Sequence, residues 1–274
     1  MPVVQQDGIV NSGLEFTITN DMKEIDITEI AKYSVDEALV HFGATSVKSG
    51  KYRAIFRNSA SALMLSTFAG IFSADYAQKG LSLLKDKLGE IIGSEALTIV
   101  DDPFVSGSMF STPFDGEGVA TFRKKVIEKG QLKTLLHNLK TAAKDGVEST
   151  GNGSKASYAS PVEVAPSNLC IEPGVKSYEE LIKTLENGII ITEVEGTHAG
   201  ANAVSGDFSL AAKGFLVENG QIVKPVEQIT VAGNYYEIMK NVEEVGTDVK
   251  LCFPSNYLCY SPSVLLKELS VAGE

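Results

Sequence analysis

The spacing of apolar residues predicts helices in the first half of the chain. After Thr28, apolar residues recur at helical spacing as far as a stop at Gly43. An apolar stretch over Ser59–Gly80 predicts a second helix. Leucines one turn apart over Gln131–Lys144 predict an amphipathic helix with His137 on its polar face.

From Gly188 onward the pattern changes to short apolar or alternating runs, which favour strands. Asn219-Gly220 separates two such runs and predicts a hairpin, because both residues tolerate a positive φ. Asn234 is predicted to cap the last helix. The predicted strands of this half are 189–194, 208–218, 221–231, 251–253 and 264–271, and a short strand is also predicted earlier, over Tyr52–Arg57. We therefore predict an α+β fold with helices in the N-terminal half and a mainly antiparallel β-sheet in the C-terminal half.

Composition and charge exclude two classes of protein. The 274 residues are 43% hydrophobic with a formal net charge of −11, and no Lys/Arg cluster occurs, so we expect no direct nucleic-acid binding. The longest apolar runs are too short to span a bilayer. Three cysteines without a CxxC pair, and a start without secretory features, favour reduced thiols and a cytoplasmic protein.

The histidines do not form a recognisable metal motif. A helical zinc site needs two histidines one turn apart, whereas this chain has only His41, His137 and His198. We expect His41 in the last turn of the first helix, where a cation suits the helix dipole. His137 is expected to be solvated. No metal ligands, no catalytic residue and no cofactor are predicted.

The loop 195–207 concentrates residues that could contact a ligand. Small residues surround His198, and Asn202, Ser205 and Asp207 follow within the same segment between two predicted strands. Such a loop can present backbone N–H groups and polar side chains at a pocket. A tight loop with His198 and Asp207 hydrogen-bonded internally is the alternative.

Two pairs of carboxylates lie beside Pro or Gly. Asp101 and Asp102 precede Pro103, and Asp115 and Glu117 alternate with glycines. Carboxylates in such contexts favour structural roles in turns and caps over acid/base chemistry.

A series of short motifs extends over nearly the whole chain. These motifs are Ile99-Val-Asp-Asp-Pro103, Pro113-Phe-Asp-Gly-Glu-Gly118 with Thr121, Ile127-Glu-Lys-Gly-Gln-Leu132, Ser149-Thr-Gly-Asn152, Gly196-Thr-His198 through Ser205-Gly-Asp-Phe-Ser209, Glu218-Asn-Gly220 with Pro225-Val226, and Ala232-Gly-Asn234. Their order and intervals resemble the C-terminal domain of the PmbA/TldD family, labelled modulators of DNA gyrase, and in particular its PmbA/TldE branch.

The resemblance implies a subunit of a heteromeric peptidase. In that family TldD-type subunits carry a zinc site with a His-Glu-x-x-x-His helix, which this sequence lacks, and TldE-type subunits do not. Residues 1–20 would be a remnant strand region of a missing N-terminal domain, and residues 21–274 the C-terminal domain.

The leading hypothesis is a non-catalytic partner of a TldD-type zinc peptidase that acts on peptides or unfolded polypeptides, in a homo- or hetero-oligomer. His198, Asn202, Ser205 and Asp207 would then line a substrate or partner groove. Two alternatives remain open. One is a self-sufficient hydrolase that uses His198 and Asp207, and the other is a non-enzymatic peptide-binding or regulatory module.

Overall fold

The computed structural model describes residues 1–19, 21–106, 108, 111–252 and 257–274. Its helices are α1 (Ile27–Leu39), α2 (Asn58–Phe68), α3 (Ala74–Gln78), α4 (Leu139–Asp145), α5 (Tyr178–Leu185), α6 (Thr197–Gly200) and α7 (Tyr235–Asn241), with 3-10 turns at Met22–Glu24 and Ala69–Phe72. Its strands are β1 (Val3–Gln6), β2 (Ile9–Ser12), β3 (Gly50–Phe56), β4 (Ile99–Asp101), β5 (Lys124–Glu128), β6 (Gln131–Leu132), β7 (Gly153–Ser154), β8 (Glu163–Val164), β9 (Leu169–Ile171), β10 (Gly188–Glu195), β11 (Asp207–Glu218), β12 (Gln221–Asn234), β13 (Val242–Val245), β14 (Lys250–Leu251), β15 (Cys259–Ser261) and β16 (Val264–Ala272).

A six-stranded sheet in the order β12-β11-β10-β3-β16-β13 forms the centre of the fold. Most of its pairs are antiparallel, but β3 and β10 run parallel. Strand β12 also pairs with β16, so that five of the strands form a closed ring. The hairpin β11–β12 turns at Asn219 and Gly220, which have φ values of 52° and 71°, as the sequence predicts.

The middle strands of the central sheet, β3 and β10, are buried on both faces over part of their length. Ala54 and Phe56 of β3 point into the main core with α2, whereas Ile55 belongs to a smaller cluster with α5. In β10, Ile189 and Ile191 likewise join the main core and Ile190 joins the α5 cluster. A strand buried on both faces has no polar side to solvate, which accounts for its uninterrupted apolar run.

A second six-stranded sheet has the order β14-β15-β9-β4-β5-β6, and two-stranded sheets pair β1 with β2 and β7 with β8. The hairpin β1–β2 and helix α1 contact each other and form an N-terminal layer over residues 1–44. None of the described helices is both long enough and apolar enough to cross a bilayer.

The predicted segregation of helices and strands is wrong, although the α+β class holds. The N-terminal half supplies β3, which lies between β10 and β16 in the central sheet, and also β4 to β6. The C-terminal half in turn contains α5, α6 and α7. Long-range pairing determines this arrangement, because β3 takes neighbours from the other end of the sequence.

The predicted helix over Gln131–Lys144 is also wrong. Gln131 and Leu132 form β6, which pairs with β5 across a turn at Lys129 and Gly130, and only α4 from Leu139 is helical. His137 precedes the Asn138 cap of α4 and is buried instead of solvated. Its burial lowers the pKa of the imidazole.

His41 lies just beyond the end of α1 and not in its last turn, where a cation suited to the helix dipole is expected. The ring is buried and stacks on Phe215 with centroids 5.1 Å apart. Burial, aided by the charge of Lys213, lowers the pKa of His41.

Candidate functional site

A groove of about 570 Å³ separates the N-terminal layer from the body of the fold. One wall is the segment 12–17 together with α1. The other wall comes from the start of α2, strands β10 and β11, and the end of β14. Its lining includes the charged residues Glu15, Glu29, Glu37, Arg57, Glu193, Lys213 and Lys250.

A bidentate ion pair joins the two walls at the start of α2. Arg57 directly follows β3, and its guanidinium donates to both carboxylate oxygens of Glu37 on α1, at 2.6 and 2.7 Å. Burial opposes both charges, but the hydrogen bonds and opposite charges outweigh it. The pKa of Glu37 is therefore lowered and the pKa of Arg57 raised, so both groups stay ionised.

Two further ion pairs follow along the groove. Lys250 Nζ lies 2.7 Å from Glu15 of the N-terminal segment, and Lys213 Nζ lies 2.6 Å from Glu193. Lys250 Nζ also lies 6.0 Å from the centroid of the Phe16 ring, within cation–π range. The two Lys250 contacts hold segment 13–17 against the body, whereas the pair between Lys213 and Glu193 links two strands of the body.

The start of α2 is fixed by hydrogen bonds to three other segments. Asn58 donates from Nδ2 to the carbonyl of Asp248 at 2.8 Å, and Ser59 donates from its hydroxyl to the carbonyl of Thr192 at 3.1 Å. The backbone N–H of Asn58 donates to the Ser263 hydroxyl, which itself donates to Asp248. The groove wall is thus preorganised.

The groove residues do not fit a zinc ion. Zinc in proteins takes three or four ligands from thiolate, imidazole and carboxylate groups. Here Glu15, Glu37 and Glu193 are each already paired with a cation, and the lining contains one thiol and no histidine. Across the part of the chain that the structure describes, no group of three His, Cys, Asp or Glu residues could hold a metal ion.

The four residues predicted for a substrate or partner groove lie elsewhere, around α6 and the start of β11. His198 and Asn202 are exposed, and Asn202 Oδ1 accepts from the N–H groups of Val204 and Ser205 at 2.9 and 3.2 Å. Asp207 Oδ1 accepts from Asn234 Nδ2 at 2.8 Å, and this bond lowers the pKa of Asp207. None of the four lines the 570 Å³ groove, and their function stays a prediction.

His198 and Asp207 share no hydrogen bond in the described residues, where Asp207 is instead tied to Asn234. General-base chemistry needs a base within hydrogen-bonding reach of the group it activates. The geometry therefore gives no support to a hydrolase built on these two residues.

The predicted structural carboxylates are heavily hydrogen-bonded. Asp115 accepts the N–H groups of Glu117 and Val119 within its own turn and that of Gly153 across the chain, at 2.7 to 3.0 Å. Glu117 in turn accepts the N–H of Leu139, the first residue of α4. Asp102 accepts from Phe104 N–H.

Asp101 is the last residue of β4 and lies in the interior, not in a turn. Its carboxylate is fully buried and pairs with Lys124 Nζ at 3.0 Å. It also accepts from Asn152 Nδ2 at 2.7 Å and from the N–H groups of Ser167 and Asn168. The motif residues Asp101 and Asn152 thus belong to one buried network.

The sequence does not reveal the ion pairs of the groove. Arg57 and Glu37 are 20 residues apart, and Lys250 and Glu15 are 235 residues apart. No spacing rule connects such positions, because each pair depends on where the N-terminal layer rests on the body.

Comparison with known proteins places the chain in a family. Residues 49–273 match the PmbA/TldA metallopeptidase C-terminal domain. The metalloprotease PmbA of Escherichia coli O157:H7 is 31% identical over 99% of this chain and 57% of its own length. A metalloprotease of Methanothermobacter thermautotrophicus is 33% identical over 82% of this chain and 49% of its own. The chain spans about half the length of these relatives.

Two solved structures share the fold. One, from Thermotoga maritima, is described as a candidate modulator of a DNA gyrase, with a TM-score of 0.90 and 44% identity over 98% of this chain and 60% of that one. TldE from Thermococcus kodakarensis has a TM-score of 0.90 and 28% identity over 99% of this chain and 61% of that one. The match over residues 49–273 shows that this chain belongs to the PmbA/TldA metallopeptidase C-terminal domain family.

Proposed function

We propose that this chain acts as the non-metal-binding, PmbA/TldE-type part of a TldD/TldE-type metallopeptidase. In this role it would bind a peptide or unfolded polypeptide in its groove and stabilise a zinc-bearing TldD-type partner, in the cytoplasm. The observation that carries the proposal is the 570 Å³ groove. Three of its carboxylates, those of Glu15, Glu37 and Glu193, are each paired with a lysine or arginine side chain.

The form of the groove supports binding of an extended chain. Lys250 and Leu251 of β14, an edge strand of the second sheet, line one wall, and segment 12–17 lines the other. The lining contains both polar and apolar side chains. Peptides recognised by such grooves use main-chain hydrogen bonds for affinity and side-chain pockets for specificity.

Reconstitution with a TldD-type zinc subunit tests the proposal. We expect the isolated chain to contain no stoichiometric zinc by elemental analysis and to leave an unfolded polypeptide intact, and the mixture to cleave that polypeptide. One tightly bound transition metal per isolated chain, or chelator-sensitive cleavage without the partner, would overturn it.

A matched pair of variants tests the groove itself. Lys250→Ala removes a groove cation, whereas Lys51→Ala removes one member of an exposed pair with Glu268 outside the groove. We expect Lys250→Ala to weaken peptide binding and partner-dependent cleavage, and Lys51→Ala to leave both unchanged. Equal behaviour of the two variants would contradict the assignment of the groove.

A further inference from the structure

The N-terminal layer, residues 1–44, is packed tightly within itself. Gly13 follows the hairpin β1–β2 and lies directly against α1, where an added Cβ would come within 2.0 Å of the carbonyl oxygen of Ser34 and 2.8 Å of the backbone nitrogen of Ala38. Ser34 and Ala38 are also the buried residues of α1. Packing this close makes the hairpin and the helix one unit.

The same layer shares no apolar core with the body. The two hydrophobic clusters begin later in the chain, at Val47 and at Ile55, so none of the described residues of the layer belongs to either cluster. Ile27 and Leu39 of α1 are instead 76% and 44% exposed. Burial of apolar surface is the main stabilising term in folding, and little of it joins the layer to the body.

Polar contacts at the groove hold the layer in place. The pairs of Glu37 with Arg57 and of Glu15 with Lys250 join it to the body, and these four side chains are between 18% and 31% exposed. Ion pairs that water can reach are weakened by salt. The 570 Å³ groove and a neighbouring cleft of about 340 Å³ lie between the layer and the central sheet, so this interface is not close-packed.

A turn at residues 40–43 connects the layer to the central sheet. Gly43 in this turn has a φ of 76°, and no atom lies within 4 Å of the place that a Cβ would take. Directly afterwards the N–H of Thr45 donates to the carbonyl of Pro225 in β12, and the N–H of Glu227 donates to the carbonyl of Thr45. The ring of His41 stacks on β11 beside the turn. The chain is therefore fixed to the sheet at one side of the layer.

We propose that the N-terminal layer is a flap that pivots about residues 42–44, and that the pairs Glu37–Arg57 and Glu15–Lys250 hold it closed over a bound peptide. Segment 12–17 and α1 line the groove, so movement of the flap changes the width of the groove directly. Hinges of this kind are a few residues at the end of an element. What the flap admits rests on the proposed peptide-binding function, whereas its movement is measured without a peptide.

Distances between pairs of spin labels measure the movement. Lys32→Cys on α1 is combined in turn with Lys267→Cys on β16 and with Glu218→Cys at the end of β11, and all three positions are exposed. We expect a closed and a longer distance in at least one pair. The ratio of the longer to the closed population should rise about tenfold in Glu37→Gln, because the amide cannot keep both charged hydrogen bonds to Arg57. Salt at about 1 M should act in the same direction.

Three controls accompany these measurements. Glu237→Gln breaks an exposed pair with Lys240 outside the flap and should leave both populations unchanged. Gln6→Cys with Lys32→Cys lies wholly within the flap and should keep one distance, since the flap moves as a unit. The chain without added cysteines, taken through the same labelling, gives the background of the native thiols, which burial makes unreactive; it raises the pKa of Cys170 to about 12.

Two results would overturn the flap. One is a single distance in both body pairs that neither salt nor Glu15→Gln combined with Glu37→Gln changes. The other is a broadened distance within the flap itself, which would mean that the layer unfolds instead of pivoting.

A removable tether relates the movement to peptide binding. Glu37→Cys with Arg57→Cys places two thiols across the closing contact, and a short bis-methanethiosulfonate reagent joins them. The probe is fluorescein-labelled, carboxymethylated lysozyme, an unfolded and basic polypeptide. Its association should slow about tenfold or more with the tether and recover after dithiothreitol, because the closed flap excludes the probe. The same variant capped with methyl methanethiosulfonate is the control and should keep the faster association.

The outcomes separate this inference from the proposed function. If the probe does not bind the untethered chain, the proposed function fails, and the label distances alone decide whether the flap moves. If the probe binds and the tether leaves its association unchanged, the flap does not control the groove and the inference is wrong, while the groove stands.

Discussion

The buried pair between Asp101 and Lys124 provides the sharpest test of the fold's energetics. The side chains are 0% and 4% exposed, and the carboxylate also accepts from Asn152 Nδ2 and two backbone N–H groups. Asp101→Asn keeps the shape but removes the charge. The new amide can satisfy the backbone donors with its oxygen, and its NH₂ group then faces the donors Lys124 Nζ and Asn152 Nδ2.

The expected loss is large because the lysine is left as an uncompensated buried cation. Removing one partner of a buried ion pair costs about 3–5 kcal/mol. At roughly 2–4 °C per kcal/mol for a domain of this size, the Tm should fall by about 10 °C. Denaturant unfolding and a thermal melt measure both quantities.

Two controls distinguish the loss of the buried ion pair from the general effect of a substitution. Glu237→Gln breaks an exposed i,i+3 pair with Lys240 and should cost less than about 0.5 kcal/mol. The double variant Asp101→Leu with Lys124→Met removes both charges and should recover much of the loss. A loss below about 1 kcal/mol in Asp101→Asn, or no recovery in the double variant, would refute the reasoning.

Three further predictions concern the N-terminal layer and the α6 loop. Glu37→Gln breaks the bidentate bond to Arg57, should cost about 1–3 kcal/mol, and should speed proteolysis near α1. The folded-state pKa of Glu37 lies below its ordinary value of 4.5, so the pair stabilises the fold above that pH and its contribution is lost as the pH falls through the lowered pKa. Between pH 5 and acid, the melting temperature of the variant should therefore change less than that of the unchanged chain. If the melting temperature of Glu37→Gln falls with acid as steeply as that of the unchanged chain, this prediction is wrong. His198→Ala should shift the Tm by no more than about 2 °C yet weaken partner-dependent cleavage, whereas Asp207→Ala, which removes the acceptor for Asn234, should cost about 1 kcal/mol. Unchanged cleavage per folded molecule in His198→Ala would remove that residue from the site.

The sequence predicts the elements whose backbone is fixed by residues that are neighbours along the chain. The β11–β12 turn follows from Asn219-Gly220, and the start of α7 follows from the Asn234 cap, whose side chain accepts from the N–H of Tyr236. In both cases the residues that fix the backbone are neighbours in sequence, so the pattern contains the whole cause.

The local pattern gives the wrong secondary structure where pairing with a distant segment determines the backbone. Leu132 and Leu136 have helical spacing, but Leu132 pairs with Ile127 across a turn, and the backbone N–H of Leu136 donates to the carbonyl of Phe72. Lys129 and Gly130, both with positive φ, are the signal that could have indicated a hairpin. The groove charges and His41 could not be placed for the same reason, because their partners come from other layers of the fold.

The closed ring of strands has a consequence for how the chain folds. Strand β3 gains its neighbours only when β10 and β16 have formed, and a hydrogen bond beside the ring, from Ser49 to Gly273, joins residues 224 apart. Closing loops of that length costs entropy before any contact repays it, so folding should be slow. Until closure, Ala54, Ile55 and Phe56 are uncovered on an unpaired strand, which makes the nascent chain a natural client for chaperones.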